Sequence, residues 1–505
     1  MKLRDAIELM RAPTPPNVGL LDEELAGVAI DSRSVRVGEL FFALSPSDYQ
    51  RHSFTATHFG DAHEFIPQAL AHGAKAVVAR RASVAERADL HRVEIRDRLI
   101  LADDVIDALQ QLARGVINRW DGTVVAITGS AGKTTTKDLT RAVLTASGRR
   151  VIASIKNFNN ELGVPLSVLQ METDGRHASD FDTAVIEMGM SMPGEIAKLA
   201  SVAPPRIAVE LLVSPVHLEF FGTLERIAAG KRELIEALQP DGTAILNADD
   251  DHVRAMRSLH AGRTLLFGIE READVTATNL STLASGGTAF HLRTPLGSAD
   301  VHLSLPGRHN VSNALAAASI ATCFDIAPGE IAEALSGATA SEMRGQLIRL
   351  SKNLNVIDDC YNSNPRSLVA MTRALTEASR ATPNTAEKNQ TTISNAPGRR
   401  IVVAGEMLEL GAESGEMHRE VGRQIADLGV EHLFGVRGAA RELVEGARQA
   451  GLKEAQFYET TDAAAAALLD MVGAGDWVLV KGSRGVHTEL IVAQLRARYA
   501  ANDER

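Results

Sequence analysis

Cysteine is nearly absent: 505 residues hold two, Cys323 and Cys360, far apart and without the spacing of metal ligands. That excludes a disulfide framework and a cysteine zinc site, and it fits a reducing compartment. Positive charge is in deficit. Lys and Arg number 53 against 64 Asp and Glu, a formal net charge of −11. A general affinity for nucleic acid or an anionic membrane is therefore not expected, although local glycine and lysine sites can still take small anions. No apolar run approaches the roughly 18 residues that cross a bilayer. The opening MKLRDAIELM is broken by acidic residues and reads as an amphipathic helix, not a signal peptide. The expectation is a cytoplasmic enzyme with no nucleic-acid partner and no membrane insertion.

What the chain does contain is a core. Hydrophobic residues make up 45% and charged residues 23%, a globular balance, and the length suggests about three domains. The reading divides it into α/β regions at 1–118, 119–335 and 336–505. In the first, Asp31–Arg33 is a polar turn before a short buried strand, Gly73–Ala79 runs from helix end into strand, and Ser45–Gly60 reads as a surface loop. In the second, strand-like runs at Val124–Thr128, Ala184–Glu187, Ile207–Val213 and Thr243–Asn247 alternate with helical stretches, which argues for a mostly parallel sheet. In the third, Val356–Ile357, Ile401–Ala404 and Trp477–Val480 each lead into a polar or glycine turn. Ser379–Arg399 lacks apolar periodicity and reads as a mobile insertion, and Ala463–Ala467 as a helix face.

The chemistry centres on Val124–Thr136, VVAITGSAGKTTT. An apolar strand stops at Gly129-Ser130-Ala131-Gly132, and Lys133, Thr134 and Thr135 open a helix. Glycines let backbone N–H groups converge on an anion, a lysine neutralises phosphate, and a threonine hydroxyl can ligate Mg²⁺. The full G-x-x-x-x-G-K-[ST] pattern needs glycine at 127, where Ile127 stands, so the loop is the shorter G-x-x-G-K-T. Ligands of parallel sheets gather at the carboxyl ends of strands. Glu187, His217 and Asn247 with Asp249 fall there. Glu187 is the candidate carboxylate for a metal. Lys231, on a helix soon after His217, has the wrong charge for a metal site unless CO₂ converts its amine into a carbamate.

The order of GSAGKTT, NFNNELGVP at 157–165, EMG at 187–189, HLE at 217–219, AGKRE at 229–233, NADD at 247–250 and GRHNVSNALAA at 307–317 resembles the ATP-dependent Mur ligases of peptidoglycan synthesis. DSRSVRVGELFFAL at 31–44, IDDCYNSNP at 357–365, GEMLELG at 405–411 and KGSR at 481–484 are similar to the branch that joins D-alanyl-D-alanine to UDP-N-acetylmuramoyl-tripeptide. The resemblance implies an N-terminal domain for the UDP-sugar, a central P-loop ATPase and a C-terminal Rossmann-like domain that closes over ATP. It implies ATP, two Mg²⁺ ions, an acyl-phosphate intermediate and a monomer. Residue by residue, it gives Gly129–Thr135 to the phosphates, with Lys133 at the β/γ end and Thr134 on Mg²⁺. It gives Glu187 to metal, His217 and carbamylated Lys231 to the second Mg²⁺, and Asn313 to adenine. Arg344 would reach the phosphates and Asp359 the nucleotide, Ser32 and Arg33 the uridine diphosphate, and Asn159 and Asn160 the sugar-peptide.

The chain departs from that pattern in four places. Leu211-Leu212 stand where the family has Thr-Asn, Asp61-Ala62-His63 replaces Asp-Gly-His, the 45–60 loop is long, and 379–399 is an insertion. Three other readings compete: the related ligase that adds the third amino acid, for which Asn364-Pro365-Arg366 is the relevant motif, a folylpolyglutamate synthase-like enzyme, and a non-catalytic ATP-binding scaffold.

Overall fold

The computed structural model describes residues 1–13, 17–52, 54, 60–216, 218–382 and 398–500. Three sheets succeed one another along the chain. The first has four parallel strands in sequence order, Gly27–Ala29, Glu39–Ala43, Ala76–Arg80 and Leu99–Ala102. Glu39–Ala43 is buried at every position, as the continuous apolar run LFFA requires of a strand covered on both faces. Ser45–Gly60, expected to be a loop, instead contains the helix Pro46–Arg51. Ser45 caps it, Pro46 opens it and Asp48 closes a capping box. His52 at its end is buried.

The second sheet has nine strands. From one edge they run Val151–Ala153, Thr183–Glu187, Thr123–Thr128, Ile207–Glu210, Thr243–Asn247, Arg263–Gly268 and Val275–Thr282, all parallel. Thr288–Thr294 and Gly297–Leu303 extend it antiparallel. The chain leaves Thr123–Thr128 towards one edge and later returns to its other side. The glycine loop thus sits at the reversal of strand order, where open parallel sheets form a crevice. Ile207–Glu210 is shorter than expected. Leu211 N and Leu212 O turn to Thr128 O and Ser130 N, at 3.1 and 2.8 Å, so these residues brace the glycine loop instead of continuing the ladder.

The third sheet runs Gln346–Leu350, Leu354–Asp359, Trp477–Lys481, Arg400–Gly405, His432–Val436 and Ala455–Tyr458, parallel except for the first pair. Asn364 caps the helix Pro365–Ala381, which absorbs the start of the expected insertion. Arg399 at its far end pairs with buried Asp476 at 2.7 Å, and 383–397 lie outside the described residues. Ala463–Ala467 is helical, within Thr461–Met471. The N-terminal helix Leu3–Met10 buries Leu3, Ala6, Ile7 and Met10, the i, i+3, i+4, i+7 stripe of an amphipathic helix.

Candidate active site

The glycine loop is shaped by two contacts that exclude a Cβ. Gly129 has φ +151°, and a Cβ there would lie 2.8 Å from Leu211 Cβ. Gly132 has φ +87°, and a Cβ there would lie 2.3 Å from Asn313 Oδ1. Both glycines are thus fixed by close approach, and Gly132 by left-handed backbone as well. Helix Lys133–Ala146 follows directly, and its first-turn N–H groups have no intrahelical acceptor and face the loop. Ser130 Oγ accepts from Ser214 N at 3.0 Å, tying the loop to the neighbouring chain. Lys133 donates to Gly129 O at 2.8 Å.

Three residues meet at the carboxyl end of Thr183–Glu187. Thr134 Oγ1 donates to Glu187 Oε2 at 2.8 Å and Asn159 Nδ2 to Glu187 Oε1 at 2.7 Å. Glu187 is 1% exposed. A hydroxyl and a carboxylate oxygen converging beside a phosphate loop are hard oxygen donors of the kind Mg²⁺ takes, so the residues fit the ion. Lys231, from helix Leu224–Glu236, is buried and lines the same cleft. Burial pushes its ammonium down to about 7, so its free amine is accessible near neutrality. Burial also lowers Lys133, and Arg344 adds to the effect.

Glu210 was not foreseen. It is the one charged residue in the apolar run Ile207–Val213, which was the available signal. It is fully buried, and neither carboxylate oxygen has a hydrogen-bond partner. Burial raises it to about 8, against the pull of Lys231 and Lys133. His217 lies outside the described residues.

A cleft of about 970 Å³ joins the glycine loop, Glu187 and Lys231 to the third sheet. Arg344 and Asp359 line it. Asp359 is held by Lys481 Nζ at 2.6 Å, and the Arg344 guanidinium lies 3.8 Å over the Tyr361 ring. Lys481, from the KGSR motif, is a second group that was not singled out. His309, also in the cleft, is pushed down to about 4 by burial and is neutral. Asn313 stands against Gly132 and accepts from Thr136 Oγ1 at 3.4 Å. Asn160 lines the cleft, but its Oδ1 accepts from Gly163 N at 2.8 Å and so fixes the entry to helix Gly163–Leu169. Arg366 turns to Asp250 at 3.5 Å. Ser32 and Arg33 are not brought into the cleft. Ser32 is buried, while Arg33 is exposed and paired with Asp31 at 2.7 Å.

Fold and cleft together define a three-sheet α/β protein with a P-loop-type glycine turn, whose cleft is lined from both the second and the third sheet. A model of the Mur ligase middle domain matches residues 127–321, and one of the Mur ligase, glutamate ligase domain matches 380–484. The chain is 33% identical to the UDP-N-acetylmuramoyl-tripeptide–D-alanyl-D-alanine ligase of Escherichia coli, with 94% of each chain covered. It superimposes on a crystal structure of MurF from Acinetobacter baumannii with a TM-score of 0.81 at 27% identity, covering 98% of both chains. MurF ligase from Thermotoga maritima in complex with ADP matches with a TM-score of 0.75 at 28% identity, over 93% of this chain and 97% of that one. The chain belongs to the Mur ligase family, in the branch of the UDP-N-acetylmuramoyl-tripeptide–D-alanyl-D-alanine ligases.

Proposed function

We propose that the chain is an ATP-dependent amide ligase joining D-alanyl-D-alanine to UDP-N-acetylmuramoyl-tripeptide in peptidoglycan precursor synthesis. The observation that carries the reading is the Thr134–Glu187–Asn159 cluster beside the glycine loop, with the buried amine of Lys231 in the same cleft. A carboxylate is a poor electrophile. The γ-phosphoryl group of ATP passes to the tripeptide's terminal carboxylate, releasing ADP. The amine of D-alanyl-D-alanine then attacks the acyl phosphate, and the tetrahedral adduct loses its proton and expels phosphate.

The protein's task is electrostatic and positional. Gly129–Thr135 cradle the phosphates, Lys133 neutralises the β/γ end, and Arg344 approaches from the third sheet. Bound Mg²⁺ would neutralise charge on the transferring phosphoryl group, held by Thr134 and Glu187 and, at a second position, by His217 and carbamylated Lys231. Asn313 and Asp359 are assigned to the nucleotide, and Asn159 and Asn160 to the sugar-peptide face. Ser32 and Arg33 are assigned to the uridine diphosphate, a role supported by an exposed guanidinium in the turn that follows strand Gly27–Ala29. Domains at 1–118, 119–335 and 336–505, a cytoplasmic location and a monomeric state complete the reading. The division into three segments is supported by a separate sheet in each. Among the described residues, no helix is long and apolar enough to cross a membrane.

The test offers candidate amines with UDP-N-acetylmuramoyl-tripeptide, ATP and Mg²⁺, and follows phosphate release and product mass. Product is expected with D-alanyl-D-alanine. Turnover with a single amino acid and none with the dipeptide would overturn the assignment. A 44 Da adduct on Lys231 in native mass spectra, labelled by ¹³CO₂, checks the carbamate.

A further inference from the structure

A second cluster of buried charged groups lies at the far end of the cleft, where the first sheet's region meets the second. His52 Nδ1 lies 2.6 Å from Glu161 Oε2, and His52 Nε2 lies 3.1 Å from Asp104 Oδ1. Lys198 Nζ completes the group, 2.5 Å from the same Glu161 oxygen. His52 and Glu161 are 5% and 6% exposed, and both line the cleft. Gln110 donates to Glu161 O at 3.0 Å, so the first region grips both the backbone and the side chain of Glu161.

Glu161 closes a short loop, 157–161, whose middle residue reaches Glu187. Asn159 donates its amide to Glu187, and Asn159 O accepts from Gly189 N at 2.8 Å. One five-residue loop therefore touches the metal carboxylate at one point and the first region two residues later. Two anions, Glu161 and Asp104, balance a histidine and a lysine. Burial opposes the charged imidazole, but its hydrogen bonds to Asp104 and Glu161 prevail and raise it to about 9, with Asp107 also facing it at 3.6 Å. Lys198 Nζ also lies 2.6 Å from His52 Nδ1 and opposes the charged ring, so lysine and imidazole gather on one Glu161 oxygen while the other ring nitrogen stays on Asp104.

We propose that His52 and Glu161 are positioning residues for phosphoryl transfer. By clamping loop 157–161 to the first region, they hold Asn159 on Glu187 and couple seating of the UDP-sugar to the geometry of the metal carboxylate. The proposal rests on the ligase reading, in which Glu187 ligates the ion. Neither residue reaches the reacting atoms. Their effect is transmitted through Asn159, as outer partners orient metal ligands elsewhere.

The test compares wild type, Glu161→Gln, His52→Gln and Asn159→Ala, and measures kcat, the KM for ATP and the Mg²⁺ concentration giving half-maximal rate. Each variant is expected to lower kcat about tenfold and to raise the Mg²⁺ midpoint by a similar factor, the low end of the range for outer partners of metal ligands. The KM for ATP is expected to stay within about threefold. Combining Glu161→Gln with Asn159→Ala is expected to cost no more than the worse single change, since both act through one contact. Multiplicative effects, or an unchanged Mg²⁺ midpoint in Glu161→Gln and His52→Gln, would overturn the proposal. Should both variants fail to fold, Lys198→Met supplies the same readout from the more exposed partner, and an unchanged Mg²⁺ midpoint there overturns it equally. A wild-type protein with no Mg²⁺-dependent ligation of D-alanyl-D-alanine would instead remove the ligase reading itself.

Discussion

Gly132→Ala isolates the physical basis of the phosphate loop. At φ +87°, an alanine pays the left-handed penalty, about 1–2 kcal/mol. Its Cβ would stand 2.3 Å from Asn313 Oδ1, so that amide must also move. The amide donates to Asn310 Oδ1 at 3.1 Å inside the core, and losing that bond costs about 1 kcal/mol. The sum, about 2–3 kcal/mol, corresponds to a fall of about 4–12 °C in the unfolding temperature of a domain of 150–250 residues. Thermal unfolding followed by circular dichroism measures it. The decisive comparison repeats the substitution in an Asn313→Ala background. There the collision is gone and only backbone strain remains, so the cost should drop by about 1 kcal/mol. Equal costs in the two backgrounds, or a shift below about 2 °C in the wild-type one, would refute the reasoning.

Three further outcomes follow from the same site. Glu210 is raised from 4.5 to about 8 in the folded chain, so between those values the native state holds a proton that the unfolded state has lost. Stability should therefore fall as pH rises through that window, by up to about 1.4 kcal/mol per unit. Lys231, lowered from 10.5 to about 7, acts in the opposite sense, with stability rising from about 7 to 10.5. Urea midpoints of wild type and Glu210→Gln should diverge between pH 5 and 8, and parallel curves would contradict the assignment. Glu187→Gln should cut kcat by about 100-fold and destabilise by about 1 kcal/mol, because the amide oxygen can accept from Thr134 while its NH2 then faces the Asn159 amide donor; steady-state rates and calorimetry check both. Asp250→Ala should cost about 2–4 kcal/mol, since its buried carboxylate accepts from Val213 N at 3.1 Å and caps helix Asp251–Ala255. Arg366→Ala removes only a half-exposed partner at 3.5 Å and should cost under about 1 kcal/mol in the same denaturation assay.

The parallel strands were legible because each is a short apolar run ending in a glycine or a charge. Thr243–Asn247 falls where the pattern places it. The strand–loop–helix at 123–146 was legible for the same reason, and with it Lys133, Thr134 and Glu187. The antiparallel extension at 288–303 was not. Its strands alternate between buried and less buried positions and carry one charge each, Arg293 and Asp300, so they show no continuous run. The helix at 46–51 was missed because its evidence is a capping box and a proline within a polar stretch, with only Asp48 fully buried. The motif around Asn159–Asn160 lies in the cleft, but the partition of work between the two side chains did not show. Asn159 holds Glu187, while the Asn160 side chain is spent on the entry to a helix. Glu161, beside them, could not be read at all, since its partners His52 and Lys198 are 109 and 37 positions away in the chain.

In the second sheet, Ile127 is registered opposite Glu187 and Thr128 opposite Glu210. The two buried carboxylates therefore flank the last two strand residues before the phosphate loop, one on each adjoining strand. Their placement is set by ladder arithmetic, because successive side chains of a strand point to opposite faces. By that register Glu187 and Glu210 point to opposite faces of the sheet, and a single-residue insertion or deletion within 123–128, 183–187 or 207–210 would swap the face of one acid without changing composition. Those fifteen residues act as a ruler, and an indel there breaks the juxtaposition of Glu187 with Thr134 that no loop change of equal size need disturb.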